Sequence, residues 1–168
     1  MKLLIVVDMQ VDFINGTLGS PHAQAIVPPV VEKVKDFDGE VIFTRDTHTS
    51  DYLSTQEGRK LPVEHCIKDS DGWQICPELA PYAKNIVDKI TFGSVTLPEI
   101  ISENYDKVDE IELCGLCTDI CVISNAMILK ASFPEVKISV DSTCCAGVSV
   151  DSHNTALDAM RAVQIEVR

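Results

Sequence analysis

Six short runs of apolar, largely β-branched residues recur along the chain, and they constrain its fold more than any other feature. Leu3 to Val7 stops at Asp8, Val41 to Thr44 at Arg45-Asp46, and Ile86-Val87 at Asp88-Lys89. Glu110 to Leu113 stops at Cys114-Gly115, Val136 to Val140 at Asp141-Ser142, and Val163 to Val167 is the last. The runs are continuous rather than alternating, which marks strands buried on both faces, as in a parallel sheet. Helical patterns lie between them. Pro28 to Phe37 carries Pro-Pro in its first turn, where a missing N–H costs little. Leu97 to Glu103 is a short helix. Thr118 or Asp119 caps one running to about Ala131, with Pro134 beyond it, and Ser149 or Asp151 starts one ending near Ala162. Strand alternating with helix predicts an α/β fold: a doubly wound, mostly parallel sheet with helices on both faces, in three layers. The 168 residues suit one domain, spanning 1–168, that buries roughly 70% of its unfolded surface. The stretch of about 47–84 is polar, rich in Pro and Gly, and weakly periodic. A long insertion of that kind is expected to be functional.

Charge narrows the partners. The chain has 14 Lys plus Arg against 26 Asp plus Glu, a net charge of −12. Such a surface repels phosphate backbones and anionic lipid, so neither nucleic acid nor a membrane is expected as a partner. No apolar run approaches the ~20 residues that span a bilayer. The opening Met1-Lys2-Leu3-Leu4-Ile5-Val6-Val7 begins as a secretory segment would, but Asp8 interrupts it, so a cytoplasmic location is expected. The seven cysteines are odd in number, and reduced thiols are their default state.

Ligands of open parallel sheets bind beyond the carboxyl ends of the strands. The residues at those ends are Asp8, Arg45-Asp46, Asp88-Lys89, Cys114 to Cys117, and Asp141 to Thr143. Cys121 follows Cys114-Gly115-Leu116-Cys117 and falls in the first turn of a helix. Unpaired N–H groups and the positive end of the helix dipole favour a thiolate and an oxyanion there. Taken alone, the segment reads equally as a nucleophile or as a buried cysteine packing helix on sheet. Asp8 is placed to accept the thiol proton, and Lys89 to keep that carboxylate ionised. Cys114-x-x-Cys117 also admits a different class, a thiol–disulfide module without hydrolase activity.

Three segments, Asp8-Met9-Gln10-Val11-Asp12-Phe13, Lys89-Ile90-Thr91-Phe92 and Gly115-Leu116-Cys117-Thr118-Asp119-Ile120-Cys121-Val122, resemble the three motifs of the isochorismatase-like cysteine hydrolases, of which nicotinamidases are the best-known members. The resemblance spans nearly the whole chain. It implies a triad of Asp8 (general base), Lys89 (electrostatic partner) and Cys121 (nucleophile). It also implies a cis peptide bond between Leu116 and Cys117, an oxyanion hole from the N–H groups of Cys117 and Cys121, and a homo-oligomer. The implied reaction is cleavage of a small amide such as nicotinamide through a cysteine thioester. Hydrolysis of another small amide or carbamoyl compound is the alternative.

Asp46-Thr47-His48 places two ligand types on one side of a strand end, and His65 follows Glu64. Three protein ligands with open positions suit Zn, Fe(II) or Mn. By spacing alone this is a weak signal. The resemblance implies that Asp46, His48 and His65 hold a divalent metal, Zn first, with Glu57 as an added ligand. The Trp-Pro-x-His pattern common in the family reads Leu61-Pro62-Val63-Glu64-His65 here, with one extra residue and no aromatic. Phe13 remains as the ring contact for a substrate.

Overall fold

The computed structural model covers residues 1–168. Its six strands are β1 (Lys2–Val7), β2 (Glu40–Asp46), β3 (Ile86–Lys89), β4 (Glu110–Leu116), β5 (Lys137–Ala146) and β6 (Glu166–Val167). They form one all-parallel sheet in the order β3-β2-β1-β4-β5-β6. Leu3 to Val7 are each 0% exposed, so the central strand is covered on both faces, as its unbroken apolar run requires. The covering helices are α1 (Val11–Ile14), α2 (Pro21–Ala25), α3 (Val27–Asp36), α4 (Gln56–Lys60), α5 (Leu97–Asn104), α6 (Ile123–Ser132) and α7 (Val150–Ala162). Prolines occupy the first turns of α2, α3 and α5, where no N–H partner is lost. No helix is long and apolar enough to cross a membrane.

Strand order reverses between β1 and β4, which opens a crevice at their carboxyl ends. Gly115 makes that juncture possible. Its φ is +115°, and a Cβ there would lie 2.1 Å from the Val7 carbonyl oxygen. Only glycine lets β4 approach β1 so closely while turning out of the sheet.

Three sequence expectations need correction. Val163–Ile165 is not strand: α7 runs to Ala162, Val163 caps it, and β6 is only Glu166–Val167. Asp141 to Thr143 lie inside β5 rather than at its end. There the register with β4 shifts, and Asp141 turns to the Lys33 ammonium at 2.7 Å. Third, the segment 118–122 opens as a π-helical turn rather than an α-helix, and neither Thr118 nor Asp119 caps it. The two side chains instead tie the turn to α7 and to the loop that leads into it. The Thr118 hydroxyl meets His153 Nδ1 at 2.7 Å, and Asp119 Oδ1 accepts from the Val148 N–H at 3.1 Å.

Candidate active site

Four adjacent strands deliver their last residues to one crevice: Lys89 from β3, Asp46 from β2, Asp8 just past β1, and the turn bearing Cys121 after β4. Lys89 Nζ lies 2.6 Å from Asp8 Oδ2, 3.4 Å from Asp46 Oδ1 and 3.5 Å from Cys121 Sγ, and donates to the Thr91 carbonyl at 3.0 Å. Asp8 sits at φ +47°, a left-handed conformation costly for a non-glycine residue. Thr44 holds it there. Its hydroxyl donates to Asp8 Oδ1 at 2.6 Å, and its carbonyl accepts the Asp8 N–H at 3.2 Å. Cys121 is 5% exposed, lines a cavity of about 240 Å³, and its Sγ accepts from Lys89 Nζ.

The electrostatics correct one expectation. The helix start was expected to favour a thiolate, but burial, reinforced by Asp8, pushes the Cys121 thiol well above the ordinary cysteine range against the pull of Lys89. Burial also raises Asp8, and the Lys89 charge only partly offsets it. Lys89 itself would be pulled down by burial, but Asp8, Cys121 and Asp46 together hold it above the usual lysine range. The thiol lies against the buried Asp8–Lys89 pair, with the Lys89 Nζ 2.6 Å from the carboxyl and 3.5 Å from the sulfur.

The insertion supplies a second cluster. Asp46, His48, Glu57 and His65 each offer one ligand atom, and all four lie within 4.8 Å of one another. His65 Nδ1 meets the Val63 carbonyl at 2.8 Å, which leaves Nε2 facing Asp46 and Glu57 at 3.8 and 3.9 Å. His48 Nε2 is buried, 3.0 Å from Asp46 Oδ2 and 3.6 Å from Glu57 Oε1, and makes a hydrogen bond with neither. Two imidazoles, two carboxylates and an orphaned buried ring nitrogen suit a divalent cation better than they suit one another.

With both clusters in view, comparison with known proteins is decisive. The sequence model of the Isochorismatase domain matches residues 2–168. The chain belongs to the isochorismatase family. It is 30% identical over 186 residues to the nicotinamidase/pyrazinamidase of Mycobacterium tuberculosis, covering 99% of this chain and 98% of that one. It is 28% identical over 177 residues to the nicotinamidase of Saccharomyces cerevisiae, covering 76% of this chain and 80% of that protein. The pyrazinamidase of Pyrococcus horikoshii, solved in complex with zinc, superposes with a TM-score of 0.86 at 26% identity, covering 99% and 98% of the two chains.

Most residues singled out in this isochorismatase-family chain meet at the crevice. Asp8, Lys89 and Cys121 converge, as do Asp46, His48, Glu57 and His65. Phe13 lines the same cavity, its ring centroid 5.6 Å from that of His65. Leu116–Cys117 is not a cis bond, since no peptide bond in the chain is cis. The direction change falls one residue earlier, at the positive-φ Gly115. The redox pairing is not favoured either: Cys114 is 0% exposed, and all seven thiols are free.

Sequence reasoning missed three supporting residues. Gln10 is 0% exposed and clamps Asp46: its Oε1 accepts the Asp46 N–H at 2.7 Å, and its Nε2 donates to the Asp46 and Trp73 carbonyls at 2.8 and 2.9 Å. Asp12 Oδ2 accepts the Cys66 N–H at 2.7 Å, fixing the backbone beside His65. Thr44 is the third. Gln10 and Asp12 stand inside the first motif, so their signal was present; Thr44 looked like one more β-branched strand residue. Trp73 stands outside the cavity, with its Nε1 donating to Thr47 and its ring under the Arg45 guanidinium.

Proposed function

We propose that this chain is a nicotinamidase-type amidohydrolase in which Asp8, Lys89 and Cys121 do the chemistry. The single observation that carries the reading is the Lys89 ammonium, 2.6 Å from Asp8 and 3.5 Å from Cys121, whose side chain lines a mostly apolar cavity. Asp8 takes the thiol proton as the sulfur attacks the amide carbonyl carbon. Burial disfavours a free thiolate, so the transfer accompanies the attack rather than preceding it. Backbone N–H groups of Cys117 and Cys121 hold the oxyanion. The C–N bond breaks, Asp8 returns its proton to the leaving nitrogen, and ammonia departs from a thioester. Asp8 then deprotonates a water that attacks the thioester, the C–S bond breaks, and the proton returns to sulfur. Lys89 stays protonated and limits the charge that accumulates between Asp8 and Cys121.

Asp46, His48 and His65, with Glu57 beside them, would hold a divalent cation, zinc in the first instance. Bound there, it supplies a Lewis-acidic anchor for a ring nitrogen of the substrate. Phe13 offers the ring an apolar face. The domain is read as 1–168, with the insertion of about 47–84 building one wall of the site. The test is ammonia release from nicotinamide, pyrazinamide and an N-carbamoyl amino acid, with and without chelator. Chelator-sensitive turnover of the pyridine and pyrazine amides is expected. Turnover of the carbamoyl compound alone, indifferent to chelator, would sink the reading.

A further inference from the structure

The cavity has two unlike ends. Its polar end carries Cys121 with Asp46, Glu57 and His65, and the rest of its wall is mostly apolar, including Phe13, Leu18, Leu61, Phe92, Ile120 and Val148. The wall's one alcohol, Ser20, already accepts the Ala23 N–H. No lysine or arginine lines the cavity, and the Lys89 ammonium below it is saturated by Asp8, Asp46 and Thr91. Leu61, Phe92 and Val148 at the mouth are 39%, 41% and 65% exposed, so apolar surface there waits for cover. They come from three separate segments: the end of α4 within the insertion, the loop after β3 and the loop between β5 and α7. A carboxylate held among them would lose its water and gain no cation.

We infer that the preferred substrate is an aromatic carboxamide carrying an apolar substituent away from the amide, which covers Leu61, Phe92 and Val148, and that amides bearing a carboxylate are rejected. The orientation, with the amide at Cys121, rests on the proposed amidase reading. Burial of each added methylene should raise kcat/KM about three- to fourfold. A carboxylate at the same place should lower it by at least about a hundredfold.

The probes are nicotinamide and its 5-methyl, 5-propyl and 5-carboxy derivatives. Their kcat/KM is measured on the wild-type enzyme, and their Kd on Cys121→Ala. The expected order is propyl, methyl, unsubstituted, then carboxy. Val148→Lys should raise the carboxy compound at least about tenfold and lower the propyl one. A flat or inverted series, or a carboxy compound within threefold of nicotinamide, overturns the inference. If the wild type hydrolyses none of them while Cys121→Ala binds them in the expected order, the inference about the apolar rim stands and the amidase reading falls. Binding without that order overturns the inference whatever the turnover.

Discussion

Two buried carboxylates share one lysine in this crevice, and their surroundings push them in opposite directions. Asp8 lies 2.6 Å from Lys89 and Asp46 lies 3.4 Å from it. Burial wins at Asp8, and its carboxyl is raised. At Asp46 burial is outweighed by the His48 imidazole 3.0 Å away and the charge of Lys89, and its carboxyl is lowered. Distance to the cation therefore does not set the order; the other neighbours do. Asp8 has one hydroxyl and an uncharged thiol, so it can take up a proton and give it back. Asp46 has two imidazoles and stays an anion, as a ligand must. On the proposed reading, acid–base work and cation binding are separated by environment on strands that lie side by side.

The largest predicted effect falls on the Asp8 side. Cys121→Ala should lower kcat by at least about 10⁴-fold, and Asp8→Asn by about 10³-fold, while metal content by elemental analysis stays at the wild-type level. Loss of metal in either variant would show that the two clusters are one. Lys89→Met tests their shared element. It leaves two buried carboxylates without their cation, so urea denaturation should show a loss of about 3–5 kcal/mol. Adding Asp8→Asn to that variant should restore part of the loss, because one uncompensated charge is gone.

How far each cluster could be read from sequence follows from how its residues are placed. Strand runs ending in Asp8, Lys89 and Cys114-Gly115 announced both the parallel sheet and the crevice, because a buried strand must be apolar until it leaves the core. The metal-type cluster was fainter. Glu57 sits on the single helical turn of α4 and His65 in an irregular stretch of the insertion, which is tied down by Asp12 at Cys66 and by Gln10 at Trp73 rather than by local periodicity. Tertiary ties of that kind leave no spacing to read. The π-helical turn escaped for a similar reason: Thr118 and Asp119 have good capping chemistry, but α7 and the loop before it claim the two side chains. The direction of the Cys121 shift was misread because a helix start was weighed without the burial that accompanies it.

His48→Ala acts on the other side of the comparison and should cost less. The expected outcome is loss of bound divalent metal with kcat/KM down about 10²-fold, mostly in KM, because what is lost is substrate positioning. Dialysis against chelator should reproduce the wild-type loss, and re-added zinc should reverse it. Cys121 should still be alkylated by iodoacetamide in His48→Ala at close to the wild-type rate. A dead thiol in that variant would mean the metal cluster also sets the nucleophile.

The smallest effect is the most diagnostic. Thr44→Val keeps shape and burial but removes the hydroxyl that donates to Asp8 Oδ1 at 2.6 Å. That bond favours the ionised carboxylate, so its loss raises the Asp8 carboxyl further above the ordinary aspartate range. The free enzyme needs Asp8 ionised to accept the thiol proton, so kcat/KM rises with pH as Asp8 deprotonates. The acid limb of the profile should therefore move to higher pH in Thr44→Val, with a plateau reduced by no more than about tenfold. Metal content should not change, since Thr44 touches Asp8 and not the cluster at Asp46. An acid limb that stays in place, or moves down, would assign that limb to some group other than Asp8. The contrast between a proton-shuttling carboxylate and a permanently ionised one would then lose its first member.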